Sequence, residues 1–298
     1  MSMESKKLTP TVSIIKGKNR RNNIRRSLEC ISDDIKKGII GRQIVIKPNF
    51  VSTSIQLAAS HVDQMRGILD FFQDFYKGKI IIAEAACGDT QSAFRNFGYY
   101  ILLSEYNVEF VDLNQDTYKI IQIEDSKGNP FNVRVSSLLL DEDNYLVSAA
   151  KLKTHDTVIV TLSIKNMAMG SVLLSDKAKV HQGVRQTNLN IAKLAQHVWP
   201  ELSVIDGLMG MEGNGPISGE PIYVGIAIAS TEPLAADRVA CEVMGIDLFK
   251  VGYLYYCAER GFGETDMNKI NVIGESIKEC ITPFRLHSRV KEQYRWRD

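Results

Sequence analysis

Short continuous apolar runs and runs with helical spacing alternate along the first half of the chain. The continuous runs are rich in β-branched residues, which is typical of buried strands, and they lie at 11–17, 42–51, 79–89 and 108–114. Apolar positions in the intervening stretches recur every three or four residues, which predicts amphipathic helices at 22–38, 61–78 and 91–107. This alternation predicts a mostly parallel sheet with helices on both faces.

The stretch 118–136 interrupts the alternation, because its KGNP turn lies between two strand-like runs and predicts an antiparallel hairpin. The second half then resumes, with strands predicted at 144–155, 202–205, 222–230 and 269–275 and helices at 188–200, 231–245 and 248–263. Thr231 is the predicted N-cap of helix 231–245, with Pro233 in its first turn. The predicted fold class is α/β, with a mixed, mostly parallel sheet flanked by helices on both faces and a hairpin excursion near 118–136.

The chain length of 298 residues suits one large α/β domain. Because no linker or low-complexity tract divides the sequence, we expect a single domain over 1–298, with two lobes at 1–143 and 144–298 as the alternative. The apolar content of 44% and the charged content of 24% are ordinary for a globular protein with a sizeable core.

The charge balance indicates no bulk attraction to nucleic acid or to membranes, because 36 basic and 35 acidic residues give a net charge of +1. The first residues lack the apolar core of a secretory signal, and no apolar run approaches the ~18 residues that a membrane helix needs. We therefore expect a cytoplasmic protein whose partner is a small anionic substrate. A homo-oligomer is compatible with the sequence.

The cysteines argue against a disulfide framework, a zinc ribbon and an iron–sulfur cluster, because the chain has five of them and none are spaced as CxxC. We expect reduced, mostly buried thiols. Cys87 ends an apolar strand beside a glycine. It is interpreted as a buried bystander rather than a nucleophile, since no neighbouring base marks it.

Polar side chains follow several predicted strands at the point where each strand ends. They are Lys47 and Asn49, Glu84, Lys153 and His155, and Asp206 and Glu212. In open α/β sheets, ligands bind at the carboxyl ends of the strands. The sequence therefore predicts that these side chains meet in one binding site.

The stretch KTHDTVIVTLSIKN, residues 153–166, carries the densest set of candidates. Lys153 and His155 lie two residues apart, so an extended segment places them on one face. Lys165 and Asn166 close the same apolar run. The lysines offer charge to a carboxylate or phosphate, and His155 can transfer a proton near neutral pH. The alternative is a structural role at strand ends, with the lysine stems packed on apolar surface.

The segment DGLMGMEGNGPISGEP, residues 206–221, contains five glycines and is predicted to be a loop whose backbone N–H groups, around Gly213, cradle an anion. Asp206 and Glu212 are candidates for acid or base catalysis or for binding a divalent cation. Asp237 lies on an apolar helix face, so it must be paired, cap a backbone segment or face a pocket. An ion pair with Lys153 or Lys165 would fit.

A metal site is an alternative use of the histidines. His155 and His181 could bind a divalent metal together with Glu84 or Asp206. The sequence has no HxH, HExxH or similar spacing to support this hypothesis. No cofactor is therefore firmly implied.

Six stretches of the chain together resemble one known family. They are VIKPNF, EAACGDTQSAFRNFGY, AKLKTHDTVIVTLSIKN, VIDGLMGMEGNGPISGEP, ASTEPLAADRVACEVMGI and GFGETDMNKINVIG. On these motifs, between about residues 43 and 275, the chain is identified as a member of the domain-of-unknown-function 362 (DUF362) family. The resemblance implies a shared core site at the KTH, KN, DG and GMEG positions but no defined activity. Many members carry an appended ferredoxin-like domain with a four-cysteine run; that run is absent here, so no iron–sulfur cluster is expected.

Three functional hypotheses follow from these observations. The first is an enzyme that acts on a small anionic metabolite by proton transfer and charge stabilisation, with isomerase, lyase or transferase chemistry favoured over redox chemistry. A lysine Schiff base is one variant of it. The second is a metal-dependent enzyme that uses the histidines and carboxylates. The third is a non-catalytic module that binds a ligand or a redox partner.

Overall fold

The computed structural model describes residues 9–298. Its strands are β1 (Thr11–Lys16), β2 (Gln43–Lys47), β3 (Ile80–Glu84), β4 (Val108–Asp112), β5 (Tyr118–Glu124), β6 (Pro130–Ser136), β7 (Asn144–His155), β8 (Ile159–Thr161), β9 (Leu202–Glu212), β10 (Glu220–Ser230) and β11 (Asn271–Gly274). Its α-helices are α1 (Arg20–Glu29), α2 (Ser32–Gly38), α3 (Val62–Gln73), α4 (Thr90–Asn96), α5 (Leu102–Glu105), α6 (Ser163–Gly170), α7 (Leu174–Val180), α8 (Gly183–Ala195), α9 (Pro233–Val243), α10 (Gly252–Glu259), α11 (Ile277–Cys280) and α12 (Val290–Gln293).

Nine strands of the described region form one mixed sheet in the order β11-β1-β10-β9-β7-β2-β3-β4, with β8 paired to the end of β7. Strands β9, β7, β2, β3 and β4 run parallel to one another. Strand β10 is antiparallel to its neighbours β9 and β1. Strands β5 and β6 form a separate antiparallel hairpin at the predicted place. The predicted α/β fold class is confirmed.

Hydrophobic cores lie on both faces of the sheet, because successive residues of a strand point to opposite sides. In β2, Ile44 and Ile46 belong to the core that includes the buried faces of α1 and α3. Val45, between them, belongs to the other core, with apolar residues of α6, α8 and α9. Helices therefore cover the sheet on both faces.

Three predicted helices are interrupted in the structure, and in one of them, 248–263, a 3₁₀ turn precedes α10. The run 22–38 forms α1 and α2, and the run 91–107 forms α4, a 3₁₀ turn and α5. Gly98 has a φ of +73°, which ends α4 in a left-handed conformation that glycine adopts readily. No helix within residues 9–298 combines the length and the apolar character needed to cross a bilayer.

Helix α9 begins differently from the prediction. Its N-cap is Glu232, whose carboxylate accepts hydrogen bonds from the backbone N–H groups of Leu234 and Ala235. Thr231 was the predicted cap, and its neighbour takes that role because the longer carboxylate side chain reaches both amides. Pro233 lies in the first turn, as predicted.

Strand β9 is longer than the sequence predicts. Residues 209–212 pair with residues 220–223 of β10, so the strand continues to Glu212 instead of ending at 205. The glycine-rich segment predicted as a loop over 206–221 is therefore a loop only over 213–219. Lys165 and Asn166, which close the apolar run that begins in β7, lie on helix α6.

Candidate active site

A small cavity of about 100 Å³ lies at the carboxyl ends of β2, β3 and β7. This is the edge at which parallel α/β sheets bind ligands. The predicted site residues that line it are Lys47, Asn49, Glu84, Lys153, His155, Lys165, Asn166 and His181. The structure therefore brings together side chains from the ends of three separate strands and from two helical segments.

Lys47 and Glu84 form a buried ion pair between the ends of β2 and β3. The Nζ of Lys47 lies 3.0 Å from each carboxylate oxygen of Glu84, and it also donates to the Pro48 carbonyl at 2.9 Å. Burial lowers the pKa of Lys47, while the charge of Glu84 raises it. Helix α6 passes close by at Gly170, where a Cβ would lie 1.8 Å from Cε of Lys47. Only glycine at this position leaves room for the lysine.

Two amide side chains connect Lys153 to this ion pair. The Nζ of Lys153 donates to Oδ1 of Asn49 at 2.6 Å and to the carbonyl of Ala58 at 2.8 Å. Asn49 in turn donates to Oδ1 of Asn166 at 3.0 Å, and the same oxygen accepts from Lys47 at 3.2 Å. The hydrogen-bonded chain fixes both lysines and both amides in one arrangement.

Asp237 of α9 fixes the start of α6. Its two carboxylate oxygens accept hydrogen bonds from the backbone N–H groups of Ser163 at 2.8 Å and Ile164 at 3.0 Å. Burial raises the pKa of Asp237 to about 8, and the two N–H donors oppose that rise. The carboxylate on the apolar face is thus a helix cap rather than the partner of a lysine. It holds the turn that carries Lys165 and Asn166 into the site.

Lys165, in the first turn of α6, differs from the other lysines of the cavity. Its side chain is only 7% exposed, and among residues 9–298 its Nζ has no hydrogen bond or ion pair. Burial lowers the pKa of Lys165 to about 8. Burial and the charges of Lys165 and Lys151 also lower the pKa of Lys153 well below its ordinary value.

His155, at the end of β7, presents its Nε2 atom as the ring nitrogen free for a ligand. Its Nδ1 accepts hydrogen bonds from the backbone N–H groups of Thr157 at 3.1 Å and Val158 at 3.4 Å. Because those amides can only donate, the proton of the neutral ring resides on Nε2. Burial and the charge of Lys165 lower the pKa of His155 well below its ordinary value. The carboxylate of Asp156 lies 3.1 Å from Nδ1 and would accept a hydrogen bond from the Nδ1–H of a doubly protonated ring.

His181 has the opposite arrangement of its ring nitrogens. It follows α7, and its Nδ1 lies 3.1 Å from the carbonyl of Lys177, which can only accept. The proton of the neutral ring is therefore on Nδ1, and Nε2 carries a lone pair. Partial burial of the ring and the charge of Lys165 lower the pKa of His181, although the residue as a whole is exposed. The cavity thus has one histidine that can donate from Nε2 and one that can accept there.

Besides Asp237, three predicted site residues lie away from the cavity lining. Asp206 lies within β9 and forms an ion pair with Arg20 at 2.8 Å, and Glu212 accepts from the backbone N–H of Arg285 at 2.8 Å. Gly213 follows Glu212 at the start of the loop. Because β9 continues past residue 205, Asp206 lies inside the strand rather than after it. Glu212 ends β9 beside β7, where Met211 pairs with Lys153, but its carboxylate is held by the backbone of Arg285 and does not line the cavity.

Among the lining residues that were not predicted for the site, two carry reactive side chains. Lys177 of α7 lines the cavity, and its Nζ donates to the carbonyl of Ala85 at 2.5 Å. Cys87 also lines it and is exposed, so the prediction of a buried thiol is wrong. The position of Cys87, three residues after Glu84 at the end of β3, is a signal that could have placed it in the site. Lys177 lies on helix α7 and does not follow a strand, so the rule that located the other site residues could not identify it.

Neither carboxylate named in the metal hypothesis is free to bind a metal beside the two histidines. His155 and His181 line the same cavity. Glu84 is held by Lys47, and Asp206 is held by Arg20. Across residues 9–298, no group of three or more His, Cys, Asp or Glu side chains is arranged to hold a metal ion.

Fold and site together define an α/β protein with a cavity lined by lysines and histidines at the carboxyl edge of a mixed sheet. The family model described as a domain of unknown function (DUF362) matches residues 44–242, which is 199 of 298 residues. The chain belongs to the DUF362 family, as the resemblance of its motifs predicted. All of the cavity residues described above fall within the matched segment.

Known relatives support the fold but not a specific chemistry. The thylakoid-associated protein sll1697 of Synechocystis sp. is 28% identical over 212 residues, which cover 70% of this chain and 59% of the relative. The chain therefore spans about three fifths of the length of that curated relative. Among solved structures, the lactate racemase apoprotein from Thermoanaerobacterium thermosaccharolyticum matches with a TM-score of 0.53 at 16% identity, over 83% of this chain and 60% of that one. At this identity the likeness shows a common fold alone.

Proposed function

We propose that this protein is an enzyme that binds a small carboxylate metabolite in the cavity and transfers a proton to or from it. The observation that carries the proposal is a single small cavity surrounded by four lysines and two histidines. They are Lys47, Lys153, Lys165, Lys177, His155 and His181.

The balance of charge in the cavity favours an anion. Glu84 is the one carboxylate among the described residues that line the cavity, and Lys47 already neutralises it. The remaining lysines face the cavity without a carboxylate partner in its lining. A negatively charged ligand would supply the missing counter-charge and would be held more strongly than in water, because the site is largely buried.

The apolar part of the lining favours a carboxylate that has a short hydrocarbon portion over inorganic phosphate. Phe50, Val51 and Met169 contribute to the same cavity. Such a mixture of apolar wall and a few charged groups is typical of sites for small metabolites. A volume of about 100 Å³ suits a molecule of only a few carbon atoms.

The two histidines support proton transfer as the chemical step. Their lowered pKa values keep both rings neutral near pH 7, so His155 can act as a general acid through Nε2–H and His181 as a general base through Nε2. Because the two rings come from different elements, they can act on different atoms of one ligand. Isomerisation, elimination and group transfer all use such a pair. The solved structure with a similar fold is by name a racemase of lactate, which is a small carboxylate. This agrees with the proposal, but the proposal rests on the cavity and not on that likeness.

Hydrogen exchange on candidate substrates tests the proposal directly. A panel of short hydroxy and oxo acids would be incubated with the protein in D₂O, and the loss of carbon-bound protons next to the carboxylate would be followed by NMR. We expect exchange with wild-type protein and a loss of about a hundredfold or more in His155→Gln and His181→Gln, as is usual for removal of a general acid or base. Binding would be measured by calorimetry on the same variants, with phosphate and with choline as a cationic control.

The outcomes separate the competing functions. Carboxylate binding without any exchange would favour the non-catalytic binding module over the enzyme. Phosphate binding tighter than carboxylate binding would overturn the ligand class. No anion binding at all would refute the proposal as a whole.

We further propose that the protein acts in the cytoplasm on a small molecule, without a nucleic-acid or membrane partner, and forms a homo-oligomer. Cell fractionation and light scattering of the purified protein would test these points. Recovery in a membrane fraction, or a monomeric mass, would contradict them.

A further inference from the structure

Lys165 is set apart by its lack of a hydrogen-bond acceptor. Lys47 donates to Glu84, Lys153 donates to Asn49 and Ala58, and Lys177 donates to a backbone carbonyl. Lys165 has no such acceptor among residues 9–298, although it is almost fully buried. Its Nζ is not fully enclosed, so water or a bound ligand must supply the hydrogen-bond acceptor that the protein does not.

We propose that Lys165 is a nucleophile that forms an imine with the ketone carbonyl of a small 2-oxo acid bound in the cavity. This inference rests on the proposed function and narrows its ligand class from carboxylates in general to those with an adjacent carbonyl. The other lysines that line the cavity would bind the carboxylate, and the unpaired Nζ of Lys165 would attack the carbonyl carbon.

The chemical step balances without an oxidant or a reductant. The lone pair of Nζ forms a C–N bond to the carbonyl carbon, and the electrons of the C=O π bond move to the oxygen, which takes a proton. The resulting carbinolamine then loses its hydroxyl group as water, with one further proton supplied to that oxygen and one proton removed from nitrogen. A single proton remains on the imine nitrogen, so the net reaction consumes one proton and releases one water. His155 and His181 line the same cavity and can supply and accept these protons.

The environment of Lys165 favours the reactive form of its amine. With its pKa near 8, the free-amine fraction at neutral pH is on the order of a hundredfold larger than for an exposed lysine of ordinary pKa. A protonated imine next to a carboxylate also withdraws electrons from the neighbouring carbon. That carbon then loses a proton more readily, which gives the histidine pair a substrate on which to act.

Reductive trapping tests the inference. The purified protein would be incubated with pyruvate and sodium cyanoborohydride near pH 8, digested, and mapped by mass spectrometry. We expect a carboxyethyl group on Lys165 at a yield at least about tenfold above that of any exposed lysine, given its larger free-amine fraction. Lactate has the same carboxylate but no ketone, and it should bind without leaving an adduct.

Two variants control the experiment. Lys165→Arg keeps a positive charge but lacks a nucleophilic amine, so it should bind both acids and give no adduct in the cavity. Lys193→Arg changes a lysine on α8 outside the cavity lining and should leave the adduct at Lys165 unchanged. Circular dichroism of each variant would verify its fold.

The results distinguish failure of this inference from failure of the proposed function. If pyruvate and lactate both bind by calorimetry but no adduct forms at Lys165, the imine is refuted and the carboxylate site stands. An adduct that maps to Lys153, or that is unchanged in Lys165→Arg, also overturns the assignment. If neither acid nor any other small carboxylate binds, the proposed function fails and the imine fails with it.

Discussion

Replacing Lys165 by methionine should stabilise the protein, and the gain should depend on pH. The substitution keeps a similar length and removes the charge from a side chain that is only 7% exposed. The folded-state pKa of about 8 compares with an ordinary value of 10.5. Because each pKa unit corresponds to about 1.4 kcal/mol, the buried charge costs about 3 kcal/mol when the lysine is protonated in both states.

The direction of the pH dependence follows from where the proton is bound. Below pH 8 the folded and unfolded chains both carry the proton on Lys165, so the full cost is present. Between pH 8 and 10.5 the unfolded chain retains a proton that the folded chain has released, so the stability of the wild type rises with pH. We therefore expect Lys165→Met to be more stable by about 3 kcal/mol at pH 7 and by close to zero from this source near pH 10.5.

Urea denaturation followed by circular dichroism, at several pH values between these limits, would measure the effect. Any change in packing at methionine is independent of pH and amounts to about 1 kcal/mol, so the slope with pH isolates the charge. Lys193→Met serves as the control for removing a lysine outside the cavity. A stability difference that stays constant with pH would refute the reasoning, because it would mean that Lys165 remains protonated throughout.

Three further predictions test the construction of the site. Gly170→Ala should destabilise the protein by about 3 kcal/mol or more in urea denaturation, because the new Cβ displaces Lys47 and leaves its buried carboxylate partner unpaired; an unchanged midpoint would contradict this account. Asp237→Asn should cost about 1–2 kcal/mol in the same assay, since one of two cap hydrogen bonds at the start of α6 is lost, and it should weaken carboxylate binding by calorimetry. Iodoacetamide should modify the exposed Cys87 more slowly when pyruvate is present, whereas modification of the exposed Cys30, outside the cavity lining, should be unaffected; equal protection of both thiols would show a general effect on the fold.

Much of the fold was predictable because the sequence signals for its strands and helices lie within each element. The strands in the centre of the sheet are continuous apolar runs, and each helix between them shows its own periodicity. The convergence of Lys47, Glu84 and His155 followed from a general property of parallel sheets, namely that their carboxyl ends meet at one edge. No contact between distant residues had to be known to place these side chains together.

The placement of Asp206 was not predictable in the same way. Whether β9 ends at residue 205 or continues depends on its antiparallel partner β10, and glycines at 207 and 210 suggest a loop when the segment is considered alone. The role of Asp237 was narrowed to three options by its apolar surroundings, and the choice of capping depends on where α6 begins, more than 70 residues away. The position of the Lys177 side chain likewise depends on a hydrogen bond to the carbonyl of Ala85, which is 92 residues away in the sequence.

The ion pair between Lys47 and Glu84 has a consequence for ligand selection. It cancels one positive charge of the lining and leaves Lys153, Lys165 and Lys177 without a carboxylate partner there. On the proposed function, an anionic group would bind beside these lysines and away from Glu84, because the carboxylate of Glu84 would repel it. We therefore expect the sheet's own ion pair to act as a fixed internal charge that orients a bound carboxylate within the cavity.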